Sequence, residues 1–263
     1  MRRRALAVLA VAAFAKTSCA QVASPPAVMA AGATVAEADS WGAAENPAAA
    51  PGSLGRFAAR AYGYDPLDLG GLARFGLDVA LATDATSLQL AAQAFAPPGY
   101  RAYALHAAVG RRLSGGLRAG LRLGAVVRDL DEYGAETLPV VQAGLRYAVV
   151  DDLTAAAHYT YVERALLPLA EHRLRLGVDY ASSARVHVLA AVWQPAGRPL
   201  AGGVGVRFAA AERLRLSAGV QAGGTAFTLG VEGEIAAGTR IALALALYQE
   251  LPAGVGYGVD WGG

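Results

Sequence analysis

The residues best suited to acid–base or metal chemistry stand far apart in this sequence. The four histidines are His106, His158, His172 and His187. None has a second histidine, a cysteine or a carboxylate at the spacing of a metal-binding motif. Ser217 lacks the first glycine of a nucleophile elbow. The sequence therefore predicts no catalytic set and no enzyme, and the histidines are expected to line a lumen or its rim.

Acidic residues cluster once, at Asp129, Asp131, Glu132 and Glu136. Such a cluster is either a solvated loop or a site for a divalent cation, which would also connect the loop to lipopolysaccharide. The glycines recur at the period of a strand, so they indicate packing rather than a phosphate-binding loop. No metal and no cofactor is predicted.

The first twenty residues have the pattern of a signal peptide. Arg2, Arg3 and Arg4 precede an apolar run from Ala5 to Ala15, and Ser18-Cys19-Ala20 is a small-x-small cleavage site. Removing residues 1–20 takes four of the 23 basic residues and none of the 21 acidic ones, which leaves a net charge of −2. It also takes the single cysteine, so no disulfide framework is expected. This charge gives no reason to predict nucleic-acid binding.

The rest of the chain alternates between apolar and polar residues. Of the residues, 55% are hydrophobic, yet charges interrupt every apolar run before it reaches the roughly 18 residues of a membrane helix. Leu117, Ala119, Leu121 and Leu123 share one face of a strand, while arginines and glycines share the other. A helix would mix the two classes.

The polar face is mostly arginine and glycine, which predicts a barrel lumen where arginine pairs with carboxylates. The polar residues expected to face that lumen are Arg118, Arg122, Arg128, Arg173, Arg175, Asp179, Arg207, Arg213, Arg215, Glu232 and Glu234. The aromatic residues near strand ends, expected at the membrane interfaces, are Tyr147, Tyr161, Tyr180, Tyr248 and Trp261.

The lengths of the connections predict how the strands are joined. Turns such as 83–86, 182–183 and 237–238 are short and follow even-numbered strands, whereas 64–71, 129–138, 164–171 and 195–200 are longer and follow odd-numbered ones. Alternating short turns and longer outer loops is typical of outer-membrane barrels. The predicted fold is an all-β, antiparallel, up-and-down transmembrane barrel of about 14 strands over residues 53–263, preceded by a plug-like segment at 21–52.

The segment before the first strand carries a family resemblance. Ala33-Thr34-Val35-Ala36 leads to Trp41-Gly42-Ala43-Ala44-Glu45 and then to Asn46-Pro47-Ala48. This run resembles the opening of PorV/PorQ-type barrels of the Bacteroidetes and, more distantly, of FadL-like transporters. Leu-x-Leu-Gly repeats, as at 121–124 and 174–177, add to the resemblance. It implies that Asn46, Pro47 and Ala48 belong to a partial plug; a plain turn before a strand is the alternative.

These features lead to a ranked set of functions. The first is an outer-membrane barrel that assists protein secretion or surface attachment, with membrane lipid and a secretion-machinery or cargo protein as partners. The alternative is a FadL-like passage for small hydrophobic molecules, which requires an apolar pocket in the lumen. An outer-membrane lipase or deacylase and a soluble periplasmic β-protein are the remaining possibilities. The expected location is the outer membrane of a Gram-negative cell.

Overall fold

A computed structural model gives the fold of the chain. It describes Ala36 and residues 45–49, 57–66, 73–97, 99–130, 134–162, 171–194, 199–222, 226–249 and 253–262. The predicted signal peptide, and most of the predicted segment 21–52, lie outside the described residues. Among the described residues, no helix has the length and hydropathy needed to cross a bilayer.

Fourteen strands follow one another along the chain, as the alternation of residue types predicts. They are β1 (Phe57–Pro66), β2 (Arg74–Ala82), β3 (Thr86–Phe95), β4 (Tyr100–Arg112), β5 (Leu117–Leu130), β6 (Gly134–Val150), β7 (Leu153–Val162), β8 (Glu171–Ser183), β9 (Val186–Trp193), β10 (Ala201–Ala211), β11 (Leu214–Ala222), β12 (Ala226–Ala236), β13 (Thr239–Tyr248) and β14 (Gly254–Gly262).

Each strand pairs antiparallel with its neighbours in sequence, and β1 pairs with β14, so the sheet closes into a barrel. The predicted all-β, antiparallel, up-and-down barrel of 14 strands is confirmed. Connections after even-numbered strands lie at one end of the barrel, here called the turn end, together with the start of β1 and the end of β14. Connections after odd-numbered strands lie at the opposite end, the loop end.

The predicted long loop at 129–138 is wrong. Strand β5 continues to Leu130 and β6 begins at Gly134, so only residues 131–133 connect them. Asp129 pairs with Ala135, and Glu136 pairs with Arg128. The backbone of Gly134 has a φ of 78°, a left-handed conformation that suits glycine at a tight turn. The acidic cluster is therefore divided between two strands and this short connection.

The two faces of the sheet differ as the alternation predicts. Large aliphatic and aromatic side chains are exposed on the outside, with Leu105 and Leu90 at 66% and 60%. Tyr147, Tyr180 and Trp261 are also exposed on this face. Tyr248 is not, because it follows Leu247 in strict alternation and points inwards. Its hydroxyl lies 3.1 Å from that of Tyr64, which corrects the predicted position at the membrane interface.

Opposite charges alternate across the seam where the first and last strands meet. Arg60 of β1 lies directly between Asp78 of β2 and Asp260 of β14, and Asp260 is opposite Arg240, which is opposite Glu234. We call Asp78, Arg60, Asp260, Arg240 and Glu234 the seam ladder. Arg60 and Asp260 are both 0% exposed, and the Nη2 of Arg60 is 3.5 Å from the Oδ2 of Asp78. Alternating charge stabilises adjacent strands because each cation faces anions.

Candidate functional site in the barrel lumen

Three glycines stand side by side on the inner wall near the turn end. Gly110 of β4 is opposite Gly120 of β5, which is opposite Gly144 of β6. We call these three residues the glycine row. With no side chains here, the wall has room for another backbone to approach closely.

Residues 45–49, here called the lumen segment, occupy that room. A Cβ on Gly120 would overlap with the carbonyl group of Pro47, and one on Gly110 would lie 2.7 Å from the Pro47 oxygen. A Cβ on Gly144 would overlap with Oδ1 of Asn46. Glu45, Asn46, Ala48 and Ala49 are all buried. The tripeptide Asn46-Pro47-Ala48 is therefore fitted to the glycine row.

Hydrogen bonds hold the lumen segment in this place. The Asn46 side chain accepts a bond from the backbone N–H of Ala48 at 2.9 Å and donates one to the carbonyl oxygen of Leu145 at 3.4 Å. The first bond is the local turn expected of an asparagine before proline. Arg175 of β8 donates to the Glu45 carboxylate at 2.9 Å and lies over the ring of Trp193. The segment thus contacts β6 and β8, the two strands on either side of β7.

A polar zone surrounds the lumen segment. Arg122 donates to Gln142 at 3.0 Å and to Gln89 at 3.2 Å, which links β3, β5 and β6. On the other side of the barrel, Glu232 accepts from Arg215 and Arg240, each at 3.1 Å. Two amide oxygens hold Arg122 and two guanidinium groups hold Glu232, so hydrogen-bonded side chains occupy this part of the lumen.

An apolar zone lies on the inner wall nearer the loop end. Val126 of β5, Leu138 and Val140 of β6 and Val162 of β7 pack together, and Val140 is 1% exposed. Each stands in the half of its strand that leads to the loop end. A second apolar cluster, which includes Tyr62, Tyr64 and Ala246, lies on β1 and β13 with Tyr248 against it. The inner wall near the loop end therefore carries two apolar clusters, beside charged groups such as the Arg128–Glu136 ion pair.

The structure places most of the predicted lumen residues on the inner face. Arg118 and Arg122 are buried on β5, Arg128 forms an ion pair with Glu136 at 3.8 Å, and Asp179 contacts His187 at 2.9 Å. Arg173 and Arg207 lie at inward positions of β8 and β10, and Glu234 belongs to the seam ladder. Arg213 is the exception, because it lies in the turn before β11 and is exposed.

The histidines are distributed over both faces. His106 and His158 are buried on the inner wall. His172 contacts the hydroxyl of Tyr159 and the ring of Tyr161 on the outside. Among the described residues, no group of three or more histidine, cysteine, aspartate or glutamate side chains is placed to hold a metal ion.

Sequence analysis did not include Arg60 of β1, Asp78 of β2 and Asp260 of β14 among the lumen-facing residues. Each is a charge in the middle or second half of a mostly apolar strand, and each stands at the inward parity of that strand. That combination is the signal that would have revealed them, because a charge on the outward face would contact lipid.

Comparisons with known proteins relate the fold to membrane channels. The CymD monoaromatic hydrocarbon channel matches with a TM-score of 0.70 at 12% identity, over 92% of this chain and 97% of that one. The toluene transporter TodX of Pseudomonas putida matches with a TM-score of 0.59 at 13% identity, over 82% and 91% of the two chains. No protein-family model and no curated protein sequence matches the chain. These likenesses establish a shared barrel fold with proteins described as a channel and a transporter.

Proposed function

We propose that this barrel carries small hydrophobic molecules across the outer membrane. The observation that carries the proposal is the apolar zone on the inner wall, in a fold shared with a hydrocarbon channel and a toluene transporter. A barrel needs apolar side chains on its outside for contact with lipid, but its inside has no such need. Apolar residues in the lumen therefore suit an apolar solute.

The burial of the apolar zone argues against a water-filled pore. Leu138 and Val140 are each 1% exposed, and Val126 and Val162 are nearly as buried. A hydrated ion would lose its water there at a high cost, whereas a hydrocarbon gains by leaving water. Because transfer into the apolar zone is unfavourable for an ion and favourable for a hydrocarbon, we propose small hydrophobic molecules as the solutes.

The outward face argues for a membrane location. Side chains such as Leu77, Leu88, Leu105 and Leu229 are more than half exposed, and similar residues surround the barrel. A soluble protein rarely shows so much continuous apolar surface, but a lipid bilayer covers it. We propose the outer membrane, with export by a cleaved signal peptide at residues 1–20.

Uptake of toluene tests the proposal. We expect cells lacking this chain to take up toluene more slowly, and Val140→Asp to fail to restore the rate, with uptake at least about tenfold below wild type. The aspartate would place a charge in the apolar zone. The measurement is uptake of radiolabelled toluene by cells that express equal amounts of folded barrel, judged by heat-modifiable migration on a gel.

Val150→Asp is the matched control because it makes the same substitution in the same strand. Val150 is 55% exposed at the turn end of β6, so uptake should stay within about twofold of wild type. Equal toluene uptake with and without the chain would show that the barrel does not carry such molecules, and full uptake by folded Val140→Asp would show that the apolar zone is not their route.

A PorV/PorQ-like role in secretion or surface attachment is the second candidate. Its specific support is the fit of Asn46-Pro47-Ala48 to the glycine row, since this tripeptide carries the resemblance to that family. The role requires a secretion-machinery or cargo protein bound at the turn end or the outer loops. Affinity purification after mild detergent extraction tests it, and recovery of the barrel without any such protein would count against it.

A further inference from the structure

Three arginines lie beside the glycine row, each two residues nearer the turn end along its strand. Arg112 of β4 is opposite Arg118 of β5, and Arg118 is opposite Arg146 of β6. We call these residues the arginine row. Like charges directly opposite each other on adjacent strands destabilise a sheet, so this arrangement has a cost that a bound anion would remove.

Arg118, in the middle of the row, carries unused hydrogen-bond donors. The residue is 9% exposed, and its Nε and Nη2 atoms are buried without a hydrogen-bond partner. These two nitrogens form one edge of the guanidinium group. Two parallel N–H groups on such an edge match the two oxygens of a carboxylate or a phosphate.

The neighbours of Arg118 add charge without occupying this edge. Arg146 donates to the carbonyl oxygen of Ala36 at 3.0 Å and to the Thr154 hydroxyl at 3.3 Å. Arg112 is exposed at the end of β4, where it faces the mouth of the barrel. The row therefore combines the buried Nε–Nη2 edge of Arg118 with the positive charge of the exposed Arg112.

Several described carboxylates of the lumen pair with other cations. Glu45 pairs with Arg175, Asp78 with Arg60, and Glu232 with Arg215 and Arg240. Glu136 pairs with Arg128 near the loop end. No ion pair among the described residues includes Arg118, so the charge at the centre of the row is left for a ligand.

We propose that the arginine row binds a small oxyanion at the turn end, with the Nε and Nη2 of Arg118 as the bidentate donors. Because Arg118 is only 9% exposed, the site suits a small ligand. Inorganic phosphate and simple carboxylates share the required chemistry. This site is separate from the apolar zone and does not depend on the proposed transport of hydrophobic molecules.

Calorimetric titration of the purified barrel tests the site. The full chain in non-ionic detergent, at low ionic strength and without phosphate buffer, is titrated with inorganic phosphate and separately with acetate. We expect saturable binding of phosphate with one site per barrel. Arg118→Gln should raise the Kd at least about tenfold, because it removes two charge-assisted hydrogen bonds. Arg112→Gln should raise it less, because Arg112 contributes charge alone.

Arg111→Gln is the matched control, since Arg111 adjoins Arg112 on β4 but points outwards and is exposed. Its Kd should stay within about twofold of wild type. Binding of phosphate alone identifies a phosphoryl ligand, and equal binding of acetate identifies carboxylates as well. Heat-modifiable migration verifies that each variant is folded. Absence of saturable binding of either anion, or an unchanged Kd in folded Arg118→Gln, would overturn the proposal.

Discussion

Gly120→Val is expected to release the lumen segment from the barrel wall while the barrel stays closed. The new side chain would occupy the place of the Pro47 carbonyl group and the Ala48 nitrogen. These are backbone atoms, so they cannot rotate away as the end of a side chain could. Overpacking of this kind costs about 1–3 kcal/mol, and a cost of about 2 kcal/mol lowers the ratio of docked to released segment about thirtyfold.

Thiol labelling measures the release. The chain has one cysteine, so Ala49→Cys in a Cys19→Ala background gives a single thiol at a position that is 0% exposed. A polar thiol reagent should label it slowly in the otherwise unchanged chain and at least about tenfold faster with Gly120→Val.

Gly115→Val is the control for this experiment. A Cβ at Gly115 has nothing within 4 Å, so the added side chain should leave the labelling rate unchanged. If Gly120→Val labels no faster than Gly115→Val, then the glycine row does not hold the lumen segment and the fit between them has no consequence.

Arg60→Ala is expected to be the most destabilising single substitution in the barrel. It would leave Asp78 and Asp260 buried on either side of a missing cation, at the seam that closes the sheet. Removing one partner of a buried ion pair costs about 3–5 kcal/mol, because the remaining charge is desolvated and unpaired. Urea unfolding of the barrel in lipid vesicles, followed by tryptophan fluorescence, measures the loss.

A triple variant separates electrostatics from packing. Arg60→Met combined with Asp78→Leu and Asp260→Leu removes the central cation and both of its anions, and it should recover stability to within about 1 kcal/mol of wild type. Arg240 keeps Glu232 as a partner in this variant. Arg111→Met, on the exposed outer face, is the control and should change little. A triple variant as unstable as Arg60→Ala would show that the unpaired charges of Asp78 and Asp260 are not the cause of the loss.

The sequence predicts the strands well because each depends on local alternation. Leu117, Leu121 and Leu123 alternate with Arg118 and Arg122, and no tertiary contact is needed to recognise the pattern. The boundary between β5 and β6 is harder to predict from the sequence, because a cluster of four acidic residues is typical of a loop. In the structure, β5 continues to Leu130 and β6 begins at Gly134. The position of Tyr248 near a strand end suggests a residue at the membrane interface, whereas its parity after Leu247 places it inside the barrel.

The rows on the inner wall could not be predicted, because they depend on which residues stand opposite one another. Gly110, Gly120 and Gly144 come from three strands, and only the pairing of those strands places them together. The same holds for Arg60 and Asp260, which are 200 positions apart but directly opposite at the seam. Composition indicates that glycine and arginine line the lumen, while the order of the glycine row beside the arginine row depends on strand register.

The seam ladder also affects the diameter of the barrel, because it fixes the register between β1 and β14. If β14 slipped by two residues along β1, every side chain would keep its face, so the hydrophobic pattern alone would not resist the slip. The shear number would change by two, and with it the tilt of the strands and the circumference. After such a slip Arg60 would face Gly258 or Gly262 instead of Asp260. A few buried charges at one closure thus select a single barrel size among those that the alternation permits.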